Sequence, residues 1–117
     1  MISVSRKLLA IERIHNKIGM IWMVNECRMN ALNTAMLHEL NDSLEQLEED
    51  SQIKCIIISG KGKHFSIGVE LEEIRNRVDL PPIDSVFSKL KKPVIAAVNG
   101  YTVSLNFCYC RLAWRRI

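Results

Sequence analysis

An α/β fold built on parallel strands is what this sequence predicts, and three observations predict it. Two short runs, Ile56-Ile57-Ile58 and Val94-Ile95-Ala96-Ala97-Val98, have no polar interruption. Runs of that kind suit strands buried on both faces, as in a parallel sheet. Between apolar runs at 18–24 and 54–59 lies a stretch with helical periodicity, so the order reads strand, helix, strand. A βαβ unit follows, with a right-handed crossover as the default. Finally, Gly60 and Gly62 break the third run and lead through Phe65-Ser66-Ile67-Gly68 into an expected helix start. Strand, flexible turn, small residue and helix start is how an α/β protein aims free backbone N–H groups at a ligand.

The elements follow in chain order. Residues 7–15 read as a strand, with a short helix as the alternative. Asn16-Lys17 is the expected turn, and Ile18 to Val24 form an apolar strand, so the chain opens on a hairpin. Residues 25–32 are a polar loop. A helix is predicted from Thr34 to Glu49, with Asn33 as N-cap and Leu32 and Leu37 as a hydrophobic staple. Met36, Leu37, Leu40, Leu44 and Leu47 place one apolar stripe toward the core. Glu39, Asp42, Glu45, Glu48 and Glu49 face solvent, and the acids of the last turn oppose the helix dipole and favour fraying. His38 reads as a surface residue. A strand at 54–59 comes next, then a helix over 69–77 that Pro81-Pro82 stops. A short helix spans Ile83 to Leu90, and Lys91-Lys92-Pro93 leads into the strand at 94–98, closed by Asn99-Gly100. Repeats and low-complexity segments are absent from the sequence.

Composition narrows the function classes. The chain has 117 residues, enough for one core, with a hydrophobic fraction of 48% and a charged fraction of 25%. No apolar run approaches the roughly 20 residues of a membrane helix, and the first residues, Met-Ile-Ser-Val-Ser-Arg-Lys, lack an apolar signal core. Arg6, Lys7 and Arg13 among Ser3 and Ser5 hint at a transit peptide, but Glu12 and the strand pattern oppose it. Trp114-Arg115-Arg116-Ile117 is no peroxisomal address. Net charge is +3, and it comes from Arg111, Arg115 and Arg116 in a tail without acids, while the rest of the chain balances. A general basic face is missing, so nucleic acid is not the expected partner. Cys27, Cys55, Cys108 and Cys110 fit neither a paired zinc spacing nor a secreted disulfide framework. An intracellular, reducing compartment is expected, with mitochondrial, peroxisomal and cytosolic locations all open. The glycosylation-like Asn41-Asp42-Ser43 falls inside the predicted helix.

Three blocks, in order, resemble the enoyl-CoA hydratase/isomerase (crotonase) family. They are Met29-Asn30-Ala31-Leu32-Asn33, His64-Phe65-Ser66-Ile67-Gly68-Val69-Glu70-Leu71 and Lys92-Pro93-Val94-Ile95-Ala96-Ala97-Val98-Asn99-Gly100-Tyr101. The family has Asn-Ala-Leu, Phe-Ser-Ala-Gly-Ala-Asp-Leu and nearly the same third block at these places. The resemblance covers roughly residues 10–103 and implies an incomplete crotonase-like domain, a ββα spiral containing βαβ units, over residues 1–103. Residues 104–117 are expected to be a divergent basic tail.

The resemblance also implies chemistry. The family binds acyl-CoA thioesters, the substrate class of fatty-acid β-oxidation, and stabilises the enolate with two backbone N–H groups. Such donors are each worth on the order of 3 kcal/mol in the transition state. Val69 N–H maps onto the first donor, with Gly68 giving the close approach. Val69, Glu70, Leu71 and Glu72 would line the coenzyme A site, with Ala31 beside it and Arg28 toward the nucleotide end. Glu72 replaces an often basic residue, which lowers the expected phosphate affinity. Coenzyme A enters as part of the substrate, so no separate cofactor is expected. Homo- or hetero-oligomers with crotonase-family chains are the expected protein partners.

The sequence departs from the family after Tyr101. Leu105 stands where the second donating glycine belongs, and Cys108 about where hydratases carry a glutamate. No Asp or Glu follows Asp84, although hydration needs carboxylates to activate and deliver water. The chain is less than half the family's usual length. Tyr101, Val103, Leu105 and Phe107 alternate with polar residues, which reads locally as a hairpin strand, whereas the family implies a turn into a helix. Cys108-x-Cys110 lacks the nearby histidine of a metal site. His64 is the histidine best placed beside the ligand turn, and surface exposure alone also accounts for it. Three classes stay open: an acyl-CoA hydratase or isomerase, a non-catalytic truncated family member that binds coenzyme A or associates with full-length relatives, and an interaction domain that shares only the fold.

Overall fold

A computed structural model of the chain describes residues 8–68 and 89–100. Four strands form one sheet in the order β1 (Leu9–Ile14), β2 (Ile18–Met23), β3 (Cys55–Gly60), β4 (Val94–Ala97). β1 pairs with β2 antiparallel, and β2–β3 and β3–β4 are parallel. One helix, α1 (Thr34–Glu49), connects β2 to β3 as the βαβ order requires. The opening residues 9–14 are strand, so the helical alternative for 7–15 falls. The helices expected at 69–77 and over most of 83–90 lie outside the described residues.

Two expectations need correction. Gly60 does not break β3; it is the last strand residue and pairs with Met23. The break comes one residue later, and Gly62 takes a φ of 87°. The opening hairpin also turns earlier than Asn16-Lys17. Ile14 pairs with Ile18, leaving His15, Asn16 and Lys17 in the loop. His15 and Asn16 have φ of 51° and 57°, and Lys17 N–H donates to the Ile14 carbonyl at 3.1 Å. Two consecutive left-handed residues match the right-handed twist of the flanking strands.

Sheet register separates two faces. Leu9, Ile21, Met23, Ile56, Ile58 and Val94 join Met36, Leu37, Leu40, Leu44 and Leu47 of α1 in one buried core. Gly19 allows the helix to sit this close, because a Cβ there would lie 2.7 Å from Leu47 Cδ1. The opposite face carries Ile18, Met20, Cys55, Ile57 and Ile95, which are buried or half-buried. Apolar side chains on both faces explain why the third run has no alternation.

The helix ends are tied to the chain on both sides. Asn33 Oδ1 accepts from Met36 N–H at 2.8 Å, the cap expected from sequence. Leu32 and Leu37 are both buried in the core. At the other end Lys92 Nζ donates to the Leu47 carbonyl at 2.6 Å and the Asp50 carbonyl at 2.5 Å. A cation on the last carbonyls is where the helix dipole favours it. Glu48 meanwhile accepts from the Lys91 and Lys92 N–H groups at 2.8 and 3.4 Å. The late acids thus dock the strand-entry segment, and the basic residue missing from α1 comes from outside it. Asp50 accepts from Gln52 N–H at 3.0 Å and pairs with Arg13 at 3.3 Å. The Gln52 bond first, then Arg13, holds its carboxyl below the ordinary aspartate value.

Two outcomes are expected. Replacing Lys92 by Met should lower unfolding stability by about 1–2 kcal/mol, as loss of charge-assisted bonds to helix carbonyls implies; urea denaturation followed by far-UV circular dichroism measures it. His15→Gly should raise stability by roughly 0.5–1 kcal/mol by removing left-handed strain, and His15→Val should lower it by a similar amount.

Candidate functional site

The site is built on a buried asparagine. Residues 26–28 form a short 3₁₀ turn that ends on Met29 in the left-handed region. Met29 and Asn30 have φ of 51° and 55°, and this pair of left-handed residues throws the chain back on itself. Met29 N–H donates to the Glu26 carbonyl at 2.9 Å, and Asn30 N–H to the Asn25 carbonyl at 2.9 Å. Asn30 is fully buried. Asparagine tolerates this conformation better than other side chains of its size, and the polar group it brings must then be satisfied.

Every polar atom of that side chain has a partner. Asn30 Oδ1 accepts from Asn25 N–H at 2.9 Å. Asn30 Nδ2 donates to the Lys61 carbonyl at 3.1 Å and the His64 carbonyl at 3.0 Å. One side chain thus joins the 25–30 loop to the turn after β3. Gly60 makes room for the junction. A Cβ there would lie 2.6 Å from the Phe65 carbonyl oxygen, 2.7 Å from that of His64 and 2.8 Å from Asn30 Nδ2.

The next residues continue the same wall. Ser66 Oγ, with no exposure, donates to the Asn30 carbonyl at 2.5 Å and accepts from Gly68 N–H at 3.2 Å. Leu32 N–H donates to the Gly68 carbonyl at 2.7 Å, and Ile67 N–H to the Met29 carbonyl at 3.2 Å. Gly68 has φ of 96°, which an L side chain rarely adopts. Phe65 is fully buried and anchors the turn from below. The end of β4 closes it: Phe65 N–H donates to the Asn99 carbonyl at 2.6 Å, and Asn99 Nδ2 to the Gly62 carbonyl at 3.1 Å. Asn99 Oδ1 is enclosed and meets no donor. Gly100, at φ 61°, has the Lys63 carbonyl where a Cβ would stand.

An open pocket of about 410 Å³ lies over this turn, lined by Glu26, Met29, Lys61, Gly62, Lys63 and His64. Two lysines against one carboxylate give it a net positive rim, suited to phosphate or carboxylate groups. Lys61 is held in place, its Nζ lying 3.9 Å over the Trp22 ring, whose indole N–H donates to Glu12 at 3.0 Å. Met29 is 48% exposed and offers the pocket an apolar surface. Among the described residues, no group of three or more His, Cys, Asp or Glu could hold a metal ion.

The expected site residues are distributed as follows. Ala31 and Gly68 are buried in the wall just described. Arg28 is exposed and is not among the pocket-lining residues. Val69, Glu70, Leu71, Glu72 and Leu105 lie outside the described residues. His64 lines the pocket, and its carbonyl is held by Asn30. Sequence reasoning passed over Lys61, Lys63 and Glu26 as pocket residues and Asn30 and Ser66 as the connecting groups. The alternation of Gly and Lys in Gly60-Lys61-Gly62-Lys63 was the available signal for the lysines.

Residues 13–104 match the family model described as enoyl-CoA hydratase/isomerase. The chain is 36% identical over 94 residues to the mitochondrial enoyl-CoA hydratase of Pongo abelii, covering 74% of this chain and 32% of that protein. It is 35% identical over 92 residues to the 2,3-dehydroadipyl-CoA hydratase of Escherichia coli, covering 72% and 34%. A peroxisomal relative, a probable enoyl-CoA hydratase of Arabidopsis thaliana, is 27% identical over 111 residues, covering 90% of this chain and 42% of that protein. These mitochondrial and peroxisomal names agree with the expected intracellular setting. Among solved structures, a probable enoyl-CoA hydratase from Mycobacterium smegmatis superposes with a TM-score of 0.76 at 28% identity, covering 89% of this chain and 46% of that one. The chain spans about a third of the length of the first two relatives. Its sheet and helix are part of a crotonase fold, as the resemblance implied. Among the described residues, no helix is long and apolar enough to cross a membrane.

Gly60→Ala should destabilise the chain by about 1–3 kcal/mol, the range for forcing atoms into a packed site. Thermal unfolding measures it, and an unchanged midpoint would show that the Asn30 junction has slack.

Proposed function

The chain belongs to the enoyl-CoA hydratase/isomerase family, and from that premise we propose that it binds acyl-CoA thioesters at the turn ending in Gly68. The observation that carries this reading is the double anchoring of Gly68. Its N–H is taken by Ser66 Oγ and its carbonyl by Leu32 N–H. In a trans peptide the carbonyl and the following N–H point to opposite sides. With the Gly68 carbonyl held in the wall, the amide that follows Gly68 in sequence, that of Val69, is the one we assign as donor to the thioester oxygen. Preorganisation of this kind costs nothing at the moment of reaction.

The pocket supports the same assignment. Lys61 and Lys63 place two cations beside the turn, where the phosphates of coenzyme A would lie. Met29 offers its apolar surface to the pantetheine arm. Leu105 N–H would be the second donor.

Binding is proposed without hydration. The stretch from Ser85 to Ile117 holds no Asp or Glu, and Cys108 stands near the place of a catalytic glutamate. Hydration needs a carboxylate to take and return the water proton. Titration calorimetry should show the purified chain binding acetyl-CoA, and Gly68→Ala should abolish binding while the protein remains folded. Crotonyl-CoA should not be consumed in a spectrophotometric hydration assay. Absence of thioester binding, or equal binding by Gly68→Ala, overturns the assignment; turnover of crotonyl-CoA overturns the non-hydrating part.

A further inference from the structure

We infer that Trp22 is the positioning residue of the pocket's anion site: its ring holds the Lys61 ammonium on the rim and keeps it from the carboxylate of Glu26. The inference rests on the reading above that Lys61 and Lys63 take the phosphates of coenzyme A, and it names what sets the strength of that grip.

Lys61 reaches the ring because the bonding between β2 and β3 runs one residue past their last strand pair. Met23 pairs with Gly60, and Lys61 N–H donates to the Met23 carbonyl at 2.9 Å. Trp22 stands opposite Ser59. Side chains two residues apart on an extended segment share a face. Lys61 therefore turns to the face of Ser59 and Trp22, away from α1. There its Nζ lies 3.9 Å from the ring centroid. The ring is fixed in its turn, because its indole N–H donates to Glu12 Oε2 on β1 at 3.0 Å. β1, β2 and the turn after β3 together set one ammonium group.

A competing partner for that ammonium stands on the same rim. Glu26 is the one acid among the residues that line the pocket. It lies across Gly62, with Cδ and Oε2 both 3.2 Å from where a Gly62 Cβ would stand. Gly62 is the residue between Lys61 and Lys63. Among the described residues, no ion pair joins Lys61 to Glu26. A lysine freed from the ring has this carboxylate to turn to, and an ammonium paired there is neutralised for an incoming phosphate. An ammonium seated on an uncharged aromatic face keeps its whole charge, and its N–H groups that face away from the ring stay open to phosphate oxygens. A side chain already held in one place also loses less freedom when the ligand arrives.

The test titrates coenzyme A, and pantetheine as the same arm without phosphates, by calorimetry. Neither carries an acyl group, so no thioester contact enters. Coenzyme A should bind the wild-type chain more tightly than pantetheine. Trp22→Leu should weaken coenzyme A binding roughly two- to fivefold, the weight of one exposed cation–π contact, and leave pantetheine unchanged. Trp22→Phe, which keeps an aromatic face, should retain most of the affinity. In a Lys61→Met background Trp22→Leu should cost nothing further, because the ring acts only through that ammonium. Fluorinated tryptophan nearly keeps the shape of the ring and draws electrons from its face. It carries the comparison if Trp22→Leu does not unfold cooperatively: coenzyme A affinity should fall with added fluorines in the wild-type chain and not in Lys61→Met. Unchanged or tighter coenzyme A binding by folded Trp22→Leu overturns the inference. So does an equal loss for pantetheine, or an equal cost of Trp22→Leu with and without Lys61, either of which would make Trp22 a structural residue only. Coenzyme A that binds the wild-type chain no better than pantetheine overturns it too. The thioester reading stands or falls separately, on acetyl-CoA and Gly68→Ala, neither of which enters this comparison.

Discussion

The hydrogen bonds of buried Asn30 are the constraint on which the rest of the site depends. Through Oδ1 it closes the 25–30 loop, through Nδ2 it holds two carbonyls of the turn after β3, and through its carbonyl it seats Ser66. A polar side chain with no exposure is costly unless satisfied and specific when it is. Here the side chain is satisfied completely by backbone groups, one of its own loop and two of the turn after β3, while its carbonyl accepts from a buried hydroxyl. The 25–30 loop and the 61–68 turn are therefore one structural unit, although more than thirty residues separate the bonded partners.

The sheet supplies the frame that makes this junction possible. β2 and β3 run parallel, so both of their carboxyl ends arrive at the same edge. The 25–30 loop leaves from one and the 61–68 turn from the other. Ligand sites of open α/β sheets belong at that edge. Gly19 and Gly60 work at the two ends of the frame. The first lets α1 pack on the sheet, and the second lets the turn fold back over the strand that precedes it.

Charge is arranged in the same economical way. α1 ends in acids, which is unfavourable for the helix alone. Lys92 covers the terminal carbonyls, and Glu48 receives the amides of the same segment. The junction thereby orients the entry to β4, whose far end carries Asn99 back to the turn through Phe65 and Gly62. The positive rim of the pocket likewise comes from the turn itself, through Lys61 and Lys63, and not from Arg28.

The sequence by itself determined the strands and the helix of the described residues, and the family. Asn33, the stripe from Met36 to Leu47 and the uninterrupted Ile56-Ile57-Ile58 are local patterns whose periods match one element each, and all fall as read. The three motif blocks likewise sufficed for the family, which the match over residues 13–104 bears out. The sequence could not reveal what joins the blocks. Asn30 looks like any polar loop residue, and its burial and left-handed φ depend on carbonyls at Lys61 and His64 that only folding brings near. Gly60 read as a strand breaker for the same reason: its role is steric and concerns Phe65, His64 and Asn30, not its own neighbours in the strand. Periodicity reports the face a residue turns to its own element. Hydrogen bonds between remote loops carry no period, so the tertiary structure alone decided how the site is held.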